Sequence, residues 1–205
     1  HLGYLRKEAR QLGPLFDDDR EVVQLHIGGG TPNFLSAEQL GRLVQGLGEH
    51  FRLSGSPRRD FSIELDPRTV APGEIQALAR IGFNRISLGV QDIDPGVQAA
   101  INRIQPLEQT RAVVAEARAA GLRSINLDLI YGLPTQTLDT FARTVEAAIE
   151  MRPERLAVYG YAHMPSLFKA QKQIDEATLP DAEARLALLA LAVERLGAAG
   201  YTYIG

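Results

Sequence analysis

The sequence predicts an α/β fold in which parallel strands alternate with outer helices to form part of a (βα)6 barrel. Short runs rich in β-branched residues alternate along the chain with longer helical patterns, which is typical of βαβ units. The 205 residues are enough to bury a sizeable core, and no linker or change of composition divides them. We therefore expect one barrel domain over residues 1–205, incomplete at both ends.

The elements follow one another in a regular order. The predicted strands are Val22–Ile27, Phe61–Asp66, Arg85–Val90, Ser124–Ile130, Arg155–Tyr159 and a last strand that begins at Tyr201. The predicted helices are Leu2–Leu15, Ser36 to about Phe51, Gly73–Ile81, Asp94–Asn102, Leu107–Ala120, Thr137–Met151 and Asp181–Ala199. Ser36 with Gln39 forms a capping-box pattern. Helices are followed by Gly82, Gly121 and Gly200, as is typical of C-terminal caps.

The strands alternate between apolar and polar residues, which is unusual for a parallel sheet covered on both faces. In Phe61–Asp66 the apolar residues share one face, while Ser62, Glu64 and Asp66 share the other. The same alternation recurs in the other strands; in the first strand it places Val23 on the apolar face. We expect the apolar faces to pack on the helices and the polar faces to line the barrel.

A polar lumen is costly unless a ligand or ordered water satisfies it, so we infer a large polar ligand. The alternative is a different register, with some strands as solvent-facing edges.

The run Gly28-Gly29-Gly30-Thr31-Pro32 follows the first strand, at the end of the barrel where barrel enzymes hold their sites. Glycines let a backbone approach a ligand closely, and their N–H groups can bond carboxylate or phosphate oxygens. The run matches neither a Walker loop nor the dinucleotide fingerprint. It is either a ligand cradle or a tight turn between strand and helix.

Glu64, Gln91 and Asp128 fall near strand ends on the expected inner faces. Carboxylates and an amide suit a ligand with an ammonium group or ribose hydroxyls, although each residue alone is more often structural. Arg103 could grip a carboxylate or simply be solvated. Tyr159, Tyr161 and His163 could line a pocket for a flat aromatic substrate, or the tyrosines could pack in the core.

Composition excludes several function classes. The net charge of −3 is spread along the chain, which argues against nucleic acid or an anionic membrane as a partner. No apolar run reaches membrane-spanning length and no secretory signal opens the chain, so we expect a cytoplasmic protein. The absence of cysteine excludes disulfides and thiolate metal sites within these residues, and the histidines lack metal-ligand spacing.

Four motifs, in order, resemble the radical S-adenosylmethionine family. They are Gly28–Pro32, Ser62–Arg68, Asn84–Asp92 and Asn126–Pro134, within a resemblance that runs from about Tyr4 to Gly205. The resemblance implies a TIM-like radical SAM barrel. Within the family, the sequence is most similar to the oxygen-independent coproporphyrinogen III oxidases. Related haem chaperones tend to carry Glu-Ala-Asn-Pro where this chain has Glu64–Pro67, and they lack the stretch Tyr161–Pro165.

The resemblance also implies which residues bind cofactor. It implies two bound S-adenosylmethionine molecules, one of them on a [4Fe–4S] cluster. By position, the contacts to the cluster-bound molecule would be Gly29, Glu64 and Ala162, and those to the second would be Gly30, Thr31, Gln91, Arg103 and Asp128. Ile104 stands where the family pattern has an acidic residue, which puts that helix in question. No residue is identified as a general acid or base.

The implied activity is oxidative decarboxylation of coproporphyrinogen III to protoporphyrinogen IX by a monomer that receives electrons from a donor protein. A 5′-deoxyadenosyl radical would take a hydrogen from a propionate, and loss of CO₂ would leave a vinyl group. A haem chaperone and an unrelated barrel lyase or isomerase are the alternatives. The family's cysteine loop is expected before His1 and a C-terminal domain after Gly205, so these 205 residues alone are expected to be inactive.

Overall fold

A computed structural model describes residues 2–205 as an α/β fold with parallel strands. The strands are β1 (Glu21–Val22), β2 (Gln24–Ile27), β3 (Arg52–Leu53), β4 (Asp60–Leu65), β5 (Arg85–Gln91), β6 (Ser124–Tyr131) and β7 (Arg155–Gly160). The helices are α1 (Leu2–Leu12), α2 (Ala37–Gly48), α3 (Glu74–Ile81), α4 (Pro95–Ala100), α5 (Leu107–Ala119), α6 (Leu138–Glu150) and α7 (Ala182–Ala198). The predicted fold class, part of a βα barrel, is confirmed.

The chain forms two compact units, which we describe separately. The first comprises His1–Ser87 and Ala115–Ile125, and the second comprises Leu88–Val114 and Asn126–Gly205. The first unit contains the parallel pair β2 and β4 and the separate pair β1 and β3, and the second contains the parallel pair β6 and β7. The expectation of a single barrel domain stays a prediction.

In the first unit, β2 runs parallel to β4, with His26 opposite Ser62 and Ile27 opposite Ile63. The apolar face of β4 is fully buried, whereas Ser62 and Glu64 on the other face are only half-buried. For residues 61–65 this is the division of faces that the alternating sequence predicts, whereas Asp66, predicted on the same polar face, lies after the strand, is buried and pairs with Arg68. The division within the strand leaves a polar side chain accessible next to its carboxyl end.

In the second unit, β6 runs parallel to β7, with Asp128 opposite Ala157. Leu127 and Leu129 are fully buried, while Asn126 and Asp128 are half-buried. Helices α6 and α7 pack against each other in this unit. The alternation is weaker in β7, where the three residues 156–158 are all half-buried and Tyr159 is exposed.

The helix boundaries follow local signals. The capping box at Ser36 and Gln39 is present, with both hydrogen bonds formed. Gly82, Gly121 and Gly200 have positive φ, as the C-terminal caps require. The first helix is shorter than predicted: α1 ends at Leu12 and a 3₁₀ turn over Gly13–Leu15 follows, because Pro14 cannot continue an α-helix.

Two strand predictions are wrong. The first predicted strand is split at Val23, because β1 pairs with β3 while β2 pairs with β4. Val23 is exposed, although its carbonyl accepts a hydrogen bond from the Asp60 N–H. Residues 201–205, where the last strand is predicted to begin, form no strand, and Tyr203 and Ile204 are exposed. Within residues 2–205, no helix has both the length and the apolar character to cross a membrane.

Candidate functional site

The glycine run after β2 is an exposed turn with an accessible backbone. Gly29 and Gly30 have φ of 83° and 63°, in the left-handed region that favours glycine. A Cβ added to either residue would meet no atom within 4 Å, so the space above both is open. Thr31, with extended backbone, precedes a 3₁₀ turn over Pro32–Phe34. The turn is therefore a tight connection whose backbone is accessible, and its role as a ligand cradle stays a prediction.

The Glu64 carboxylate is held beneath this turn by hydrogen bonds to both of its oxygens. The Gly29 N–H donates to Oε2 at 3.1 Å, and His26 Nε2 lies 3.2 Å from Oε1. The other ring nitrogen of His26 lies 2.8 Å from the Ser62 hydroxyl. The Glu64 side chain is still 42% exposed. A ligand can therefore reach a carboxylate whose orientation is already fixed.

Gly28 sets how closely the turn approaches Glu64. A Cβ at this position would lie 2.7 Å from Glu64 Oε1 and 2.6 Å from His26 Nε2, closer than real Cβ contacts allow. Its backbone lies outside the left-handed region, so glycine is needed here for space and not for φ. The sequence analysis placed Gly28 in the predicted turn but included neither Gly28 nor His26 among the cofactor-binding residues.

In the second unit, the polar groups of Gln91 and Arg103 meet at Gly89. Arg103 Nη2 donates to the Gly89 carbonyl at 2.8 Å. A Cβ on Gly89 would lie 2.8 Å from Gln91 Nε2 and 3.2 Å from Arg103 Nη2. The absence of a side chain at Gly89 thus makes room for an amide and a guanidinium side by side. Both can donate hydrogen bonds to the same oxygen-rich ligand.

Asp92, the residue after Gln91, is buried and forms the centre of a polar network. Its carboxylate accepts from Gln136 Nε2 at 2.6 Å, from the Thr144 hydroxyl at 2.9 Å and from the Asp94 N–H at 2.7 Å. Burial raises the pKa of this carboxyl, while the hydrogen bonds act in the opposite direction. Apart from its place at the end of the motif Asn84–Asp92, no feature of the sequence indicates that Asp92 is buried.

The remaining predicted residues lie elsewhere in the second unit. Asp128 is half-buried and accepts a hydrogen bond from the Asn126 side chain at 2.7 Å. Ala162 is exposed, and its carbonyl accepts from Gln171 Nε2 at 3.0 Å.

Next to Ala162, hydrogen bonds link Tyr161 and His163, two of the three residues that the sequence analysis offered as the lining of a pocket for a flat aromatic substrate. His163 lies 3.2 Å from the Tyr161 hydroxyl through Nδ1 and 3.2 Å from Glu176 through Nε2. Burial raises the pKa of the Tyr161 hydroxyl. Tyr159, in contrast, is exposed.

The predicted residues therefore fall into local groups. Gly29 is joined to Glu64 in the first unit, with Gly30 and Thr31 next along the chain. Gln91 and Arg103 are brought together in the second unit, which also holds Asp128 and Ala162. A cavity of about 870 Å³ in the first unit lies at other residues, between Gly13–Val22 and Gly48–Arg52, and includes none of the predicted ones.

Comparison with known proteins supports the resemblance. The pattern of the Radical SAM superfamily matches residues 6–148. The chain is 47% identical to an oxygen-independent coproporphyrinogen III oxidase from Pseudomonas aeruginosa and 44% identical to one from Helicobacter pylori. Each match covers 100% of this chain and 45% of the relative.

Solved structures give the same result. The coproporphyrinogen III oxidase HemN from Escherichia coli, a radical SAM enzyme, superimposes with a TM-score of 0.94 at 42% identity, over 100% of this chain and 46% of that chain. An archaeal Elp3 from Methanocaldococcus infernus shares the fold at a TM-score of 0.64 and 18% identity, covering 92% of this chain and 48% of its own. The chain thus spans less than half the length of these relatives. Because the superfamily pattern covers well over half of its residues, the chain belongs to the Radical SAM superfamily.

Proposed function

We propose that this chain is part of an oxygen-independent coproporphyrinogen III oxidase that decarboxylates coproporphyrinogen III to protoporphyrinogen IX. The observation that carries the proposal is the similarity to enzymes of that name over the entire chain, at 47% identity for the Pseudomonas aeruginosa relative. The chain spans 45% of that relative, so the proposal concerns the whole protein of which these residues form part.

The residues present fit S-adenosylmethionine. The open space above Gly29 and Gly30 leaves their backbone within reach of a ligand, and Glu64 is oriented next to it. Carboxylates suit the ammonium and ribose hydroxyls of this cofactor, and a guanidinium suits its carboxylate. We propose that Gly29, Glu64 and Ala162 bind one molecule, and that Gly30, Thr31, Gln91, Arg103 and Asp128 bind a second. When bound and given one electron, S-adenosylmethionine would supply the radical chemistry. The protein would bind and orient this cofactor.

The residues present do not fit an iron–sulfur cluster, because clusters are held by thiolates and the 205 residues include no cysteine. The proposal therefore requires cysteines outside these residues. No step of the reaction is assigned to a residue of this chain as acid or base. The contribution of this chain is to hold the cofactor in a fixed orientation. Glu64 serves this role because its carboxylate is already oriented by Gly29 and His26.

We also propose the setting in which the whole protein works. It acts as a cytoplasmic monomer that takes electrons from a donor protein and binds neither nucleic acid nor membrane. The spread of acidic and basic residues, with a net charge of −3, supports the last two points.

The test uses the full-length protein, reconstituted anaerobically with iron, sulfide and a reductant. We expect formation of 5′-deoxyadenosine and conversion of coproporphyrinogen III to protoporphyrinogen IX, both followed by chromatography. Tight haem binding without decarboxylation would identify a haem chaperone and contradict the proposal.

Site variants test the cofactor assignment. Glu64→Ala and Asp128→Ala should each weaken S-adenosylmethionine binding about tenfold or more in calorimetry, because each removes a charge-assisted hydrogen bond. Glu38→Ala is the matched control, since Glu38 is an exposed carboxylate on α2 that pairs with Arg42 and makes no hydrogen bond to the turn among those the structure describes. Equal affinities of Glu64→Ala and Glu38→Ala would contradict the role of Glu64.

A further inference from the structure

Gln91 adopts a backbone conformation that a residue with a side chain rarely takes. Its φ is 66°, and the Asp92 N–H donates to the Val90 carbonyl across it at 2.9 Å. A hydrogen bond from residue i+2 to residue i around a positive φ defines the strained form of the γ-turn. Such conformations cost about 1–3 kcal/mol and persist only where the surroundings impose them. Something beside Gln91 must hold this turn.

Asp92 is placed to do so, because every polar group of this residue is tied to a neighbouring segment. Its side chain, on a residue that is 1% exposed, accepts from Gln136, Thr144 and the Asp94 N–H. Gln136 is itself fixed, since its Oε1 accepts from the Gly132 N–H at 2.6 Å. The carboxylate therefore joins the end of β5 to the loop after β6 and to α6.

The backbone of Asp92, like its side chain, is held by hydrogen bonds to other segments. Its carbonyl accepts from Gln98 Nε2 at 2.9 Å, and the same amide nitrogen donates to the Gln105 carbonyl at 2.8 Å. Gln98 Oε1 in turn accepts from the Gln105 N–H. The segment between Gln98 and Gln105 carries Arg103, whose guanidinium bonds the Gly89 carbonyl beside the Gln91 amide. One buried residue thus fixes both the strained turn and the segment that bears the arginine.

We propose that Asp92 is a positioning residue: its buried carboxylate holds Gln91 in the γ-turn and so presents the Gln91 amide beside the Arg103 guanidinium to S-adenosylmethionine. This inference rests on the proposed function, which assigns Gln91 and Arg103 to that cofactor. Asp92 itself does not touch the ligand. Its effect on binding therefore passes through Gln91 and Arg103, and this dependence can be measured.

Asp92→Asn is the informative substitution because it conserves the size of the side chain. The asparagine carbonyl can still accept from Thr144 and the Asp94 N–H, but its amide nitrogen then faces Gln136 Nε2, a second donor. If the Gln136 amide rotated by 180° to present its oxygen to the new asparagine, its NH₂ group would face the Gly132 N–H, which is also a donor. We expect the turn to relax and the fraction of binding-competent protein to fall, so that the affinity for S-adenosylmethionine drops about tenfold.

The test is a double-mutant cycle on the full-length, anaerobically reconstituted protein, with the Kd for S-adenosylmethionine measured by calorimetry. Asp92→Asn, Gln91→Ala and the double variant are compared with the wild type. If Asp92 acts through Gln91, Asp92→Asn costs markedly less affinity in the Gln91→Ala background than in the wild type. Full additivity, or an unchanged Kd for Asp92→Asn, would overturn the proposal.

Two further variants separate positioning from general destabilisation. Tyr201→Phe removes a part-buried hydrogen bond to the Pro153 carbonyl in the same unit, outside the Asp92 network, and should lower the Tm while leaving the Kd unchanged. A weaker Kd in that variant, equal to that of Asp92→Asn, would overturn the proposal. Thr144→Val removes a single donor to Asp92 and should weaken binding about threefold even if Asp92→Asn fails to fold.

The outcome also distinguishes this inference from the proposed function. If Gln91→Ala binds S-adenosylmethionine as tightly as the wild type, the positioning role fails together with the assignment of Gln91. The conversion of coproporphyrinogen III by the wild type is measured independently. That activity can therefore be confirmed even if the positioning role of Asp92 is refuted.

Discussion

Replacing Gly28 with alanine would place a methyl carbon against the Glu64 carboxylate and the His26 ring. The added carbon would lie 2.7 Å from Glu64 Oε1, whereas carbon and oxygen atoms without a bond between them sit at about 3.3 Å or more. The carboxylate must therefore retreat by about 0.6 Å. Glu64 and His26 are accessible side chains that can move, so water replaces the hydrogen bonds that are lost. We expect the free energy of unfolding to fall by only about 1 kcal/mol.

The effect on the ligand should be larger than the effect on stability. A displacement of about 1 Å at a binding group can cost about a hundredfold in function, so a shift of about 0.6 Å should weaken S-adenosylmethionine binding about tenfold. Calorimetry gives the affinity and urea denaturation gives the stability. Gly55→Ala is the control, because Gly55 is an exposed loop residue with open space around its Cβ position. An affinity equal to that of Gly55→Ala would refute the placement of Glu64 beneath the turn as a binding determinant.

Three other outcomes follow from the structure. Gly132→Ala should lower the free energy of unfolding by about 1–2 kcal/mol, because Gly132 has a φ of 82°, which residues with a side chain disfavour. Urea denaturation measures this change, and an unchanged midpoint would contradict a left-handed backbone at Gly132. Ser36→Ala should cost about 1 kcal/mol through loss of the cap of α2, and a change below about 0.3 kcal/mol in the same measurement would argue against the capping box. Burial raises the pKa of the Asp92 carboxyl above its ordinary value, so the folded protein binds this proton more tightly than the unfolded chain does. The free energy of unfolding of the wild type, relative to that of Asp92→Asn, should therefore fall as the pH rises from about 4. If this relative free energy instead increased with pH, the pKa of Asp92 would be lowered by folding and not raised.

The sequence predicted the fold class and most elements because their signals are local. The alternation in β4 and β6 assigned each side chain to a face, and the burial of Ile63 and Leu127 agrees with it. The polar residues at the strand ends could be found in the same way. What alternation does not encode is which strand a segment pairs with. The split at Val23 arises from a change of partner, and residues 201–205 form no strand although their composition predicts one.

The site geometry was less accessible to sequence reasoning, because it depends on contacts between distant residues. A positive φ at Gln91 could not be predicted, since the residue type disfavours it and a network centred on Asp92 imposes it. The steric roles of Gly28 and Gly89 depend on side chains that approach from other positions along the chain. Glycine runs suggest backbone conformations, but they do not show which neighbour would collide with a side chain.

The hydrogen bond from Gly29 to Glu64 has a thermodynamic consequence for the affinity of the proposed cofactor site. Fixing a residue's backbone costs about 1–2 kcal/mol in conformational entropy, and glycine loses more freedom than other residues. Because this bond orders the turn within the folded protein, that cost is met during folding and does not reduce the affinity for a ligand. If Gly29 and Glu64 bind S-adenosylmethionine as proposed, sub-denaturing urea that separates them would shift this cost onto binding, and the affinity would fall before the protein unfolds.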